Sequence, residues 1–366
     1  MKIQHFFCCL FASLLTLITQ NAIAQPAGAQ GEYFLYHIKQ GETLSSLSET
    51  FTSRQSNWQQ IKKINNITNT RKIPVGTVLQ IPFQLIDETP DQAKIIYLTG
   101  EVQINKQPGR KQQLINEADT ITTGAQSNIT FELSDESKVQ IPPDSTVVIQ
   151  RLRKFQGTGL IDSVFNIQTG NLAAHASPKE TGVGRFEIRT PVSITGVRGT
   201  VLRTGTSNHT GANSELLQGQ AAFIAWANRH QAINIESNQG ITANTSGTAG
   251  DIIDLLPPPE INLNQTSPFE FSLNIAPVPE ASTYLVRVSN DIAGYDVISS
   301  HITTKTLTSV TGPGKGTYYV SVRSIDGNKL AGADAILPFT ITATGITTES
   351  GVSIGTSAGA LLQMQY

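Results

Sequence analysis

Helical periodicity occurs in a single stretch of this 366-residue chain, Tyr36 to Pro82, and the other patterned segments alternate apolar and polar residues at strand spacing. The fold is therefore restricted to a small mixed unit followed by β structure. Within the stretch, alternation around Leu35 and Ile38 predicts one short strand, and Val78-Leu79-Gln80-Ile81 predicts another. Thr43 is placed as an N-cap, because its hydroxyl can accept from the free N–H groups of a first helical turn, and Leu44, Leu47 and Phe51 follow at helical spacing. A second helix is predicted after Ser56-Asn57, either of which can cap, with Trp58, Ile61 and Ile64 on one stripe. So small a unit has only these few side chains from which to build a core.

Gly41-Glu42-Thr43-Leu44, Asn65-Asn66-Ile67, Ile73-Pro74-Val75-Gly76 and Leu79-Gln80-Ile81-Pro82 together resemble the LysM module, a βααβ domain that binds N-acetylglucosamine-containing glycans, peptidoglycan above all. The likeness covers the whole module, taken as residues 33–86. It implies a shallow groove between the loop before the first helix and the loop after the second, formed here by Gly41, Glu42, Thr43, Leu44, Ile67, Ile73, Pro74 and Gly76. Backbone amides of tight Gly/Pro turns can read an acetamido group while aliphatic side chains cover its methyl. Glu42 stands where the family usually has Asp, and the link from Thr52 to Asn57 lacks the usual glycine. The same residues also have a purely local reading, in which Thr43 caps, Gly41 turns and Ile67 packs.

Residues 1–24 read as a secretory signal: Lys2, an apolar run from Phe6 to Ile18 too short to span a membrane, and Ala22-Ile23-Ala24 as a small-x-small cleavage site. Both cysteines, Cys8 and Cys9, lie in that run, so a mature chain beginning at Gln25 is expected to hold together by apolar cores without disulfides. Loss of Lys2 takes the formal net charge from −2 to −3, which points away from nucleic acid as a partner. No later segment has the length of apolar sequence that a transmembrane span needs.

From residue 93 to 240 short alternating strands succeed one another, among them Ile129 to Leu133, Val139 to Ile141, Phe165 to Ile167 and Phe186 to Ile188, predicting an all-β sandwich or coiled roll. Thr99-Gly100-Glu101-Val102, Ile121 to Gly124, Phe186 to Pro191 and above all Gly196-Val197-Arg198-Gly199-Thr200-Val201 resemble the periplasmic FecR-type domain. Members best known by that name pass signals from a receptor to a sigma factor across the inner membrane. This sequence shows no spanning helix after the FecR-like region, so the resemblance implies only a β scaffold outside the cytoplasm. Glu136 replaces the glycine usual in the hairpin turn, which predicts a different turn type there. Arg198 reads either as a structural group bonding backbone carbonyls or as a ligand-binding guanidinium.

Low complexity from Ile241 to Gly250 and the run Pro257-Pro258-Pro259 mark residues 241–259 as a linker. Residues 260–343 alternate at sandwich spacing and resemble a fibronectin type III domain, with Tyr318 or Tyr319 as a corner or core residue. Residues 344–366 read as a Gly/Ser/Thr-rich tail.

No catalytic constellation emerges. The expected mature chain has no cysteine nucleophile, and His37, His175, His209, His230 and His301 show no His-x-His or His-Glu-x-x-His spacing. Ser-x-x-Lys and Gly-x-Ser-x-Gly are both read as missing, so no serine nucleophile is expected. The expectation is a multidomain, mainly β, secreted or periplasmic cell-envelope protein without catalytic function, cofactor or metal. In it, a LysM module holds peptidoglycan and an all-β FecR-like domain and an immunoglobulin-like β-sandwich act as spacer or as platform for an envelope protein partner. The rival is an extracytoplasmic sensor or regulator in which the FecR-like domain binds a protein or small ligand.

Overall fold

The computed structural model describes residues 28–30, 33–176, 185–207, 209–342, 344–347 and 353–356. The expected signal at 1–24 and the side chain of Arg198 lie outside the described residues. Strand β1 (Gly28–Gln30) pairs antiparallel with β2 (Tyr33–His37), and β2 pairs with β3 (Val78–Pro82). Helices α1 (Leu44–Thr52) and α2 (Trp58–Ile64) lie between β2 and β3, so the expected βααβ order holds with β1 added at one edge. The period of two in β2 turns Phe34 and Tyr36 inward onto Phe51 of α1, whose ring lies 5.3 and 5.1 Å from theirs. The link between the helices needs no glycine because Ser53 takes the left-handed conformation itself, with φ 48°. Hydroxyls of Ser48 and Thr52, both fully buried, brace that link: Ser48 Oγ donates to the Arg54 carbonyl at 2.8 Å, and Thr52 Oγ1 accepts from Asn57 Nδ2 at 3.1 Å.

Residues from Glu88 to Asp254 build one hydrogen-bonded, 16-stranded sheet, all β as expected. Its inward side chains form one cluster, in which Phe165 lies 6.1 Å from Phe131 and 5.2 Å from Phe186. The hairpin after Leu133 keeps Glu136 at φ 71°, the left-handed region glycine takes most readily, so the expected change of turn type is not required. Asp135 supports this turn by accepting from the Ser137 N–H at 2.9 Å.

The expected linker at 241–259 begins inside the sheet: Ile241 to Ala243 end one strand, and Ile253–Asp254 form a second, short one. Gln239–Ala243 pairs with Gly211–Ala225, Ile253–Asp254 pairs back onto it, and Ile241 and Ala243 are fully buried. The small, polar composition serves a tight turn: Asn244 Oδ1 accepts from the N–H groups of Ser246 and Thr248 at 3.1 and 2.9 Å. Gly247, at φ 78°, passes so close to Trp226 that an added Cβ would lie 3.0 Å from that side chain. Composition alone could not separate such a turn from a linker.

The C-terminal β-sandwich sets Ile261–Gln265, Glu270–Ile275 and Leu307–Thr311 against Val297–Thr303, Thr283–Ser289, Gly316–Ile325 and Ala335–Ile341. Phe271, Tyr318 and Phe339 sit in the core between the two sheets, and Tyr318 donates its hydroxyl back to the Gly314 carbonyl at 2.9 Å as a corner residue. In the tail, Thr344–Thr347 and Ser353–Thr356 pair antiparallel.

The three regions touch through built contacts. Phe155 and Leu160, from the hairpin joining two strands of the large sheet, belong to the same apolar cluster as α1, β2 and β3. Backbone bonds run from Asp87 N to the Phe51 carbonyl and from Gln156 N to the Asp87 carbonyl, at 3.3 and 2.8 Å. The sandwich docks on the large sheet where Thr130 Oγ1 donates to the Tyr295 carbonyl at 2.7 Å and Gln140 Nε2 to the Gly294 carbonyl at 2.9 Å. Further along, Glu215 accepts from Arg203 Nε at 2.6 Å and from the Ala331 N–H at 2.9 Å. Asp334 nearby accepts both arms of Arg323 at 2.8 Å.

Candidate functional site

Thr43 is the N-cap of α1 in a capping box: its side chain accepts from the Ser46 N–H at 3.1 Å and its own N–H donates to Ser46 Oγ at 3.0 Å. The loop before it is held by Glu42, whose carboxylate accepts from the Tyr36 hydroxyl at 2.7 Å and from the Lys39 N–H at 2.8 Å. Burial, reinforced by this carboxylate, raises the Tyr36 hydroxyl well above its usual range, so Tyr36 stays a donor at any physiological pH. Glu42 thus stiffens the loop.

The second loop is positioned by α2. Asn66 takes the left-handed conformation with φ 54°, and the N–H groups of Ile67 and Asn66 bond back to the carbonyls of Lys62 and Lys63 at 3.1 and 3.2 Å, a Schellman closure. Asn65 carries a role the sequence reading missed. Its side chain accepts from the Gln80 N–H and donates to the Gln80 and Ile61 carbonyls, each at 2.8 Å, pinning the end of α2 to β3. An Asn-Asn pair ahead of an apolar residue was the only available signal.

The loops before α1 and before β3 are stitched together. The Gly76 N–H donates to the Ile38 carbonyl at 2.8 Å, and the Ile38 N–H to the Thr77 carbonyl at 3.0 Å. Gly41 and Gly76 are exposed at φ 85° and 86°, and a Cβ added to either would meet nothing within 4 Å. Their backbones are therefore open to a ligand. Ile67 and Ile73 are half-buried against the module's core, and Pro74 and Thr43 are exposed. Leu44 is corrected: it is 2% exposed and packs into the core, so its side chain is not part of any groove surface. Val75, 63% exposed between Pro74 and Gly76, offers the aliphatic surface that Leu44 does not.

Residues 36–82 match the family model for the LysM domain, and residues 119–222 match that for the FecR protein. No curated protein matches the chain in sequence. Among solved structures, one described as an anti-sigma factor from Parabacteroides distasonis is 13% identical, covers 37% of this chain and 57% of its own, and has a TM-score of 0.29. The chain thus spans little more than half the length of that protein. The fn3 domain of human collagen alpha-1(XX) is 24% identical over 29% of this chain and 99% of its own, with a TM-score of 0.21.

Outside the LysM module, the described residues hold no group of three or more His, Cys, Asp or Glu side chains placed to bind a metal. Two Gly-x-Ser-x-Gly matches escaped the sequence reading, Gly351 to Gly355 and Gly355 to Gly359. A nucleophile elbow requires a strand-to-helix turn. Ser353 instead begins a strand paired with Thr344–Thr347, and Ser357 lies outside the described residues.

Proposed function

We propose that this is a non-catalytic extracytoplasmic protein of the cell envelope that binds peptidoglycan through its LysM module, with the large sheet and the sandwich as spacer or partner platform. The observation that carries the reading is the pair of stitched loops around Gly41 and Gly76, backbones open to solvent, within the segment that matches the LysM domain. A sugar acetamido group fits such a site because it needs one donor, one acceptor and an apolar contact, which Gly turns and Ile67, Ile73 or Val75 offer. The C-terminal sandwich is read as fibronectin type III-like on its three-plus-four strands and the Tyr318 corner. The FecR match over 119–222 favours a second reading, in which the middle domain binds a regulatory partner while the LysM module localises it.

The test is co-sedimentation of the full chain with purified peptidoglycan. Retention is expected for the parent and loss for Gly76→Phe with an unchanged circular dichroism spectrum. A parent that stays in the supernatant with peptidoglycan, and shows no binding to chito-oligosaccharides, overturns the glycan reading. Envelope crosslinking of the full chain tests the second reading, which fails if no protein partner is captured through the large sheet.

A further inference from the structure

Beside the glycan loops the LysM module carries a second concavity, an open groove of about 650 Å³ along α2 that includes Trp58, Gln59, Lys62, Lys63 and Ile67. Ile67 belongs both to this groove and to the residues assigned to sugar, so the two surfaces are continuous. Trp58 and Lys62 are four residues apart and share one face of the helix; Gln59 and Lys63 repeat that spacing beside them. Trp58 is half-buried, packed against the core on one side and lining the groove on the other, which makes it a fixed aromatic wall.

The charge of the module is one-sided, and two of its cations, Lys62 and Lys63, line the groove. Residues 33–86 hold six cations, Lys39, Arg54, Lys62, Lys63, Arg71 and Lys72, against Glu42 and Glu49, a net +4 within a chain of net −2. Lys62 and Lys63 make no ion pair with another described residue, while Glu42 is engaged by Tyr36 and Lys39. Their place in the last turn of α2 favours a positive charge, but it does not account for a tryptophan on the same helix face as Lys62 or for Arg71 and Lys72 in the next loop. An aromatic wall with free ammonium groups suits a sugar that bears a carboxylate.

Resting on the glycan-binding reading above, we infer that this groove is a second subsite for the carboxylates of a glycan strand. The module then prefers acidic glycan to a neutral N-acetylglucosamine chain of equal length. In peptidoglycan those carboxylates lie on the peptide stems, or on the lactyl ether of sugars whose stem has been removed, because an attached stem holds the lactyl carboxyl as an amide.

The test measures binding of the full chain to three soluble ligands of matched length: stem-bearing glycan strands, strands stripped of stems by an amidase, and chito-oligosaccharide. The parent is expected to bind stem-bearing strands roughly three- to tenfold more tightly than the neutral chain at low salt, the range for two exposed charge pairs. The preference should disappear in Lys62→Gln/Lys63→Gln and in high salt, with chito-oligosaccharide affinity unchanged. Amidase stripping replaces each stem by a freed lactyl carboxylate, so stripped strands that keep the preference show that the subsite takes either carboxylate, and stripped strands that lose it assign it to the stems. Equal affinity of the parent for acidic and neutral ligands overturns the subsite but leaves the glycan reading standing. So does an equal loss for both ligands in the double variant. Binding to none of the three overturns both.

Discussion

The ring of Phe83, one residue past the last strand of the LysM module, lies 4.4 Å from the ring of Phe155, which belongs to the large sheet. With Leu160, Phe155 completes the apolar cluster of the module, so a fragment ending at Leu85 would leave that surface bare. Phe155→Ala is expected to destabilise the module by about 3 kcal/mol, the usual cost of truncating a buried phenylalanine. Denaturant unfolding followed by Trp58 and Trp226 fluorescence would detect it as a lowered midpoint. An unchanged midpoint would mean that the module is self-sufficient.

At Thr43 the hydroxyl is already committed to Ser46, so Thr43→Val is expected to cost ~1 kcal/mol of stability. Peptidoglycan retention well below the melting temperature should stay at the parent level. A folded Thr43→Val protein that no longer sediments with peptidoglycan would assign the hydroxyl to sugar instead.

Gly41 and Gly76 separate strain from contact. Alanine at either φ costs roughly 1–2 kcal/mol because an L-residue is forced into the left-handed region, but its methyl enters open space. Gly76→Ala should therefore melt lower than the parent and retain most of its glycan affinity, whereas Gly76→Phe should lose it. Equal loss in both variants would point to backbone geometry rather than access.

Acid should loosen the sandwich where Asp334 pairs with Arg287 and Arg323. Burial alone would raise the Asp334 carboxyl, but Arg323, Arg287 and Arg203 around it bring it down to about 2. Because the folded value lies below an unfolded value of about 4, the stabilising contribution is complete above that pH and disappears as pH falls toward 2, an effect of about 2 kcal/mol. Thermal unfolding between pH 5 and 2 should show this slope in the parent and a flatter one in Asp334→Asn.

Much of the LysM module was legible because its signals are local: Thr43 before an apolar helical stripe, glycines at turns, and period-two strands. What escaped is set by partners distant in sequence. Leu44 sits within the loop motif yet faces the core because it opens the apolar stripe of α1. Asn65 becomes informative only once Gln80 lies opposite it. Residues 241–250 read as linker although they hold a strand end and a turn, because a tight turn and a flexible linker call for the same small, polar residues. For this reason limited proteolysis of the folded protein is expected to leave Gln239 to Ala249 intact, and early cleavage there would argue against the strand pairing with Gly211–Ala225.

Helix α1 has its two ends in different places. Its first turn carries the Thr43 cap beside the Gly41 and Gly76 loops, and its last turn presses Phe51 against Gly157, where an added Cβ would lie 3.1 Å from the ring. Nine residues, about 13 Å of helix, separate them. If a glycan strand binds as proposed, tension on it would enter at the N-terminus of a rigid rod and leave through a tightly packed seat at its C-terminus. On the proposed binding, the wall and the large sheet would be coupled mechanically, and drag on one would be transmitted to the other.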